Sequence, residues 1–213
     1  MLLTLVLLAG CQRQQNRDEG RGGFLKTGES QETDERLKVV TTIFPYYDFV
    51  RQIAGEQVEV SMLLKPGEET HSYEPTPRDI LKIQNCDLFI YVGGENDEWV
   101  EEILESIDTE KFRMLRLIDC VDTVNEEHVE GMKEERGHNH GHEEKDHGSH
   151  KTLTPDEHVW TSPENAMEIV KEITKVLAEL DPAQKPIYEK NERAYLDRLE
   201  ALDKEFRTVV STA

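Results

Sequence analysis

Apolar residues along this chain fall into short β-branched runs that alternate with stretches of helical spacing. Residues 37–43, Leu-Lys-Val-Val-Thr-Thr-Ile, predict a buried strand. Residues 46–54 follow with Phe49, Val50 and Ile53 at helical spacing, and Gly55 is placed to close that helix. Residues 58–64 predict a second strand. Pro66-Gly67 then predicts a turn with Pro at its second position and Gly at its third. Thr76-Pro77 predicts a helix start, with Thr as cap and Pro in the first turn, and Ile80, Leu81 and Ile83 as its apolar positions. Residues 87–92, Asp-Leu-Phe-Ile-Tyr-Val, predict a third strand closed by Gly93-Gly94. Asp97 is placed to cap a helix over 98–107, and residues 114–118 predict a fourth strand. Strands and helices alternating at this spacing predict an α/β fold: a mostly parallel four-stranded sheet flanked by helices, with right-handed crossovers.

The second half of the chain is helical by pattern. Ser162-Pro163 opens a helix whose Ala166, Ile169, Val170, Ile173, Leu177 and Leu180 form one apolar face. Asp181-Pro182 restarts a helix in which Tyr188, Tyr195, Leu199, Leu202 and Phe206 recur at near-heptad spacing, the pattern of plain helix packing. No Gly or Pro stop signal precedes Ala213, which reads as a truncated chain or fragment.

Between the fourth strand and that helix lies a tract, about 125–153, with little to bury. Within it His138, His140, His142, His147 and His150 stand among Glu134, Glu135, Glu143, Glu144 and Asp146. Such a tract cannot support a packed core and is expected to be disordered. Neutral imidazole is the commonest side-chain ligand for late first-row divalent metals, so the tract points to zinc, bound weakly at several sites. A solvated loop would need charge but not five histidines, and an expression tag would be terminal and uniform.

Two further histidines sit in ordered-looking context. His71 follows the second strand, and His158 precedes the helix at Pro163. Ligands of open parallel sheets bind at the carboxyl ends of strands, where both residues fall. The formal charge of −20 argues against nucleic acid as a partner, because phosphate binding needs a basic surface, and it suits a cation. Residues 1–11 form an apolar segment too short to span a bilayer, ending Leu8-Ala9-Gly10-Cys11. This resembles a bacterial lipobox, with Cys11 as the lipid attachment site, although no Lys or Arg precedes the apolar run. Residues 12–36 are polar and suit a flexible tether. Cys86 precedes the third strand and Cys120 follows the fourth. In parallel neighbours these are opposite ends, about five residues of roughly 3.3 Å each apart. A disulfide needs Cα atoms within about 7 Å, so both thiols are expected to stay reduced.

Several segments together resemble a known family. They are Phe44-Pro-Tyr-Tyr47, Lys65-Pro-Gly67, His71-Ser-Tyr-Glu-Pro75, the Cys86–Gly94 strand and Asp156-Glu-His-Val-Trp-Thr-Ser-Pro163. In this order they resemble the metal-binding bacterial solute-binding proteins, the extracytoplasmic receptors of zinc and manganese ABC importers. The resemblance implies a Rossmann-like N-terminal lobe over 37–182 and the start of a long connecting helix over 183–213, with the second lobe absent. It implies His71 and His158 as metal ligands, the remaining ligands belonging to the second lobe. It implies Zn2+, with Mn2+ as the alternative; the His-rich tract favours zinc. It implies a monomeric receptor, not an enzyme, lipid-anchored on the outer face of the cell membrane, with an ABC permease as partner. A surface adhesin or zinc buffer is a second reading. A zinc hydrolase is a third, but it needs three protein ligands and a base. The chain has no His-Glu-x-x-His, and Glu157 is a weak base candidate.

Overall fold

The computed structural model describes residues 36–124 and 155–212, apart from Glu69 and the side chains of His71 and Asn96. Four strands form one sheet: β1 (Leu37–Thr41), β2 (Val58–Met62), β3 (Leu88–Tyr91) and β4 (Arg113–Arg116). Their order is β2-β1-β3-β4, and every pairing is parallel. The expected α/β architecture is therefore present. β1 and β2 are predicted two residues longer than the regular pairing. The ladder nonetheless continues past it, with Leu63 N donating to Thr41 O at 2.9 Å and Leu64 N to Thr42 O at 3.1 Å. The fourth strand begins at Arg113 and ends at Arg116, where a 3-10 turn over Leu117–Cys120 takes over.

Among the described residues five α-helices flank the sheet: α1 (Phe44–Ala54), α2 (Pro77–Gln84), α3 (Glu98–Ser106), α4 (Pro163–Leu180) and α5 (Lys185–Thr212). The start signals act as their chemistry dictates. At α2, Thr76 Oγ1 accepts from Asp79 N while Asp79 accepts from Thr76 N, a reciprocal cap that satisfies two otherwise unpaired amides. At α4, Ser162 Oγ accepts from Asn165 N at 3.4 Å, with Pro163 in the first turn. Gly55 ends α1 at φ 57°, a conformation that disfavours any side chain.

The helices cover both faces. On one, α1, α4 and α5 bury Val50, Ile53, Ile169, Ile173, Leu177 and Tyr188 against Val39, Leu88 and Ile90. On the other, α2 and α3 bury Ile83, Val100 and Ile103 against Val40, Phe89 and Tyr91. Alternate residues of β1 and β3 thus feed opposite cores, the period-two consequence of strand geometry. Tyr188, Tyr195 and Leu199 of α5 belong to the first core, as the stripe predicts, but Leu202 and Phe206 are exposed at 42% and 54%. Cys86 and Cys120 are both free; Cys86 packs in the second core and Cys120 against the first.

Candidate metal centre

The strand order reverses at β1: the chain leaves it through α1 to β2 on one side, and β2 returns through α2 to β3 on the other. A crevice opens at the carboxyl ends of strands at such a switch point. Here a cavity of about 560 Å³ is lined by Pro45, Leu64, Gly67, Thr70, Glu157 and His158, among others. Two loops frame it. The first leaves β2 through a turn in which Glu68 N donates to Lys65 O at 3.0 Å and Gly67 takes φ 88°. That is the turn Pro66-Gly67 predicts. It leads into a 3-10 turn, Thr70–Ser72, in whose centre His71 stands. The imidazole of His71 lies outside the described residues.

The second loop, 155–162, carries His158, whose side chain is 53% exposed. His158 Nδ1 meets Asp156 Oδ1 at 2.9 Å, and His158 N donates to the same oxygen at 2.8 Å. These bonds hold the Asp156 carboxyl below its ordinary range, the backbone amide contributing most. In a neutral ring, an Nδ1–H donated to a carboxylate leaves the lone pair on Nε2, the tautomer a metal needs. Trp160 supports the ring at a centroid distance of 5.4 Å, and Tyr46 in turn meets Trp160 edge-on at 5.6 Å and 86°. The carboxylate that holds this ring nitrogen belongs to the residue two positions earlier in the sequence.

On the other side of His158 a second cavity, of about 890 Å³, is lined by Asp119, Asp122, Asp156, Glu164 and Glu168. Its acidic wall favours cations. Asp156 N donates to Val124 O at 2.8 Å, so residues 124 and 156 are joined at this wall. Segment 125–154, with His138, His140, His142, His147 and His150, lies outside the described residues, as does His128, which its spacing did not single out. Cys11 lies outside them too. Among the described residues no group of three or more His, Cys, Asp or Glu side chains is gathered closely enough to hold a metal by itself. No helix among them is long and apolar enough to cross a membrane.

One sequence expectation is corrected. Asp97 does not cap α3. Fully buried, it turns back and accepts from Val92 N at 2.9 Å and Gly93 N at 3.0 Å through Oδ2. Burial raises its carboxyl pKa, and the two amides oppose that rise. The chain leaving β3 offers two adjacent amides, those of Val92 and Gly93, and the Asp97 carboxylate accepts from them rather than from the first turn of α3.

Known proteins share this architecture. The family described as ZnuA, zinc-uptake complex component A, periplasmic, matches residues 39–213. The chain is 35% identical over 184 residues to the zinc-binding lipoprotein AdcA of Streptococcus pneumoniae, covering 86% of this chain and 34% of that one. It is 36% identical over 192 residues to the high-affinity zinc uptake system protein ZnuA of Bacillus subtilis, covering 90% of this chain and 57% of that one. The crystal structure of the metal-dependent lipoprotein YcdH of Bacillus subtilis superposes with a TM-score of 0.66 at 32% identity, over 84% of this chain and 57% of that one. The chain thus spans about a third to just over half the length of these relatives. A match across nearly the whole described domain, on a parallel sheet with its crevice at the switch point, places this chain in the zinc-uptake complex component A family.

Proposed function

We propose that this chain is the metal-binding lobe of an extracytoplasmic receptor that captures Zn2+ and hands it to an ABC importer. The observation that carries this is the Asp156–His158 pair at the crevice, an exposed imidazole oriented by a carboxylate on one ring nitrogen. His71, on the loop across the same crevice, supplies the second nitrogen. A closed zinc site takes four ligands, so the rest of the shell comes from outside the described residues. The relatives AdcA and ZnuA are named for zinc binding and zinc uptake, which supports zinc over manganese. The family of the chain, a component of zinc uptake, supports a receptor role.

His138, His140, His142, His147 and His150 act as weak, multiple zinc sites that collect metal at the mouth of the crevice. The join between Val124 and Asp156 supports this, since it ties the ends of the tract beside His158. Cys11 carries the lipid that holds the receptor at the outer face of the membrane.

The test is zinc-limited growth of cells that lack their own receptor. The gene encoding this receptor should restore growth and 65Zn uptake, while His71→Ala and His158→Ala should not, at equal protein levels. Restoration of manganese uptake instead would assign the other metal. Full rescue by both variants would refute the site.

A further inference from the structure

Both candidate ligand loops lean on one short piece of chain, the turn between β3 and α3. On one side, the 3-10 turn that carries His71, Thr70–Ser72, packs against a second 3-10 turn, Glu95–Asp97. Tyr73 then meets Trp99 of α3 edge-on, with ring centroids 4.9 Å apart. On the other side, Gly94 lies beneath the carboxylate of Glu157, the residue before His158. A Cβ on Gly94 would sit 2.3 Å from Glu157 Oε1 and 2.5 Å from its Cδ. The end of a Glu side chain can swing, but Glu157 is only 8% exposed and has little room to do so. The turn is itself fastened. Asp97 Oδ2 takes both the Val92 and the Gly93 amide, and Gly93 and Gly94 hold φ 84° and 100°.

We propose that the turn 93–97 is a strut that sets the separation of the His71 and His158 loops, with Gly94 and Asp97 as positioning residues for the metal. Neither touches the ion. Asp97 fixes the path of the turn, Gly94 lets Glu157 lie flat on it, and the distance between the two imidazole-bearing loops follows. The proposal rests on the reading of His71 and His158 as ligands, and the experiment separates the two.

Zn2+ affinity is measured by chelator competition on the full chain, and Co2+ is added to a parallel sample as a probe of coordination geometry. The signal of the crevice is the part lost in His158→Ala, which removes the contribution of the His-rich tract. Gly94→Ala should weaken that site by about 10- to 100-fold, the range for partners that orient a metal's ligands, and shift the Co2+ visible bands. Glu157→Ala added to Gly94→Ala should recover most of the loss. Backbone strain at position 94 is the same with and without Glu157 and so cancels in the cycle. Asp97→Ala should weaken the site, while Asp97→Asn, whose amide oxygen still accepts the two N–H groups, should retain most of it. A folded Gly94→Ala with unchanged affinity and unchanged Co2+ bands would overturn the strut. If Gly94→Ala does not fold, equal binding by the two Asp97 variants would overturn it. If His158→Ala binds like the parent, the ligand reading itself fails, and the strut with it.

Discussion

His158 is set by its neighbour two residues back. One Asp156 oxygen accepts from both the amide and the ring of His158, so a single carboxylate fixes backbone and tautomer together. Asp156→Ala should therefore lower zinc affinity by about 10- to 100-fold without changing the circular dichroism of the fold. The pH dependence has a definite sign. A carboxyl held below its ordinary value stabilises the loop fully above about pH 3.9, the unfolded value. That contribution is lost as pH falls through the lower folded value. Acid titration of Asp156→Asn should lack this step, and an unchanged titration would contradict the pairing. The cysteines make the opposite case. Burial pushes the Cys86 thiol up to about 12 and the Cys120 thiol up to about 11. The thiolate is the reactive form, so both should label slowly at pH 8 in the native chain and at once in denaturant. Fast native labelling of Cys86 would contradict its burial. His158 was legible from its place before a helix, but its bond to Asp156, though local, was not. Glu157 on Gly94 and Asp97 on Val92 were not. The first contact is long-range, and the second reverses a local helix-cap signal through tertiary demand.

The helix starts were the most readable elements. Thr76 and Ser162 each precede Pro, and each accepts from an amide three residues on. Burial pushes Asp79 up, but bonds from the Thr76 hydroxyl and amide outweigh it and hold the carboxyl below its usual range. Thr76→Ala removes one side of that reciprocal cap and should cost about 1 kcal/mol. That corresponds to a fall of about 2–4 °C in Tm for a chain of this size. In α4 the apolar stripe is the core face itself. Ile173 has no exposed surface, so Ile173→Ala should cost about 2–5 kcal/mol through lost burial and the cavity left behind. Denaturant midpoints test both, and a loss larger at Thr76 than at Ile173 would contradict the packing described. The stripe on α5 was only half informative. Its near-heptad spacing runs from Tyr188 to Phe206, yet α1 and α4 cover Tyr188 and Leu199 and leave Leu202 and Phe206 exposed. Periodicity records which face is apolar and not how far along it a neighbour reaches.

At the scale of the molecule, function follows from strand order. With β1 beside β3, the segments that leave them run to α1 on one face and α3 on the other, and part at the carboxyl edge to open the crevice. The loops after β2 and before α4 both end there, and one turn after β3 touches both. Alternating strand and helix patterns made the parallel sheet legible, and the position of each histidine after a strand made the shared edge legible. The exact strand order was not, because nothing local to a strand names its neighbour. The central claim is that the crevice between these loops binds Zn2+ through His71 and His158. The most direct measurement is equilibrium zinc affinity by chelator competition on the chain, His71→Ala, His158→Ala and the double variant. Each single change should remove the tightest phase, and the double should lose no more than either single, since two ligands of one ion fail together. The weak phases of the His-rich tract should remain in all four. A tightest phase that survives in either single variant would contradict the account.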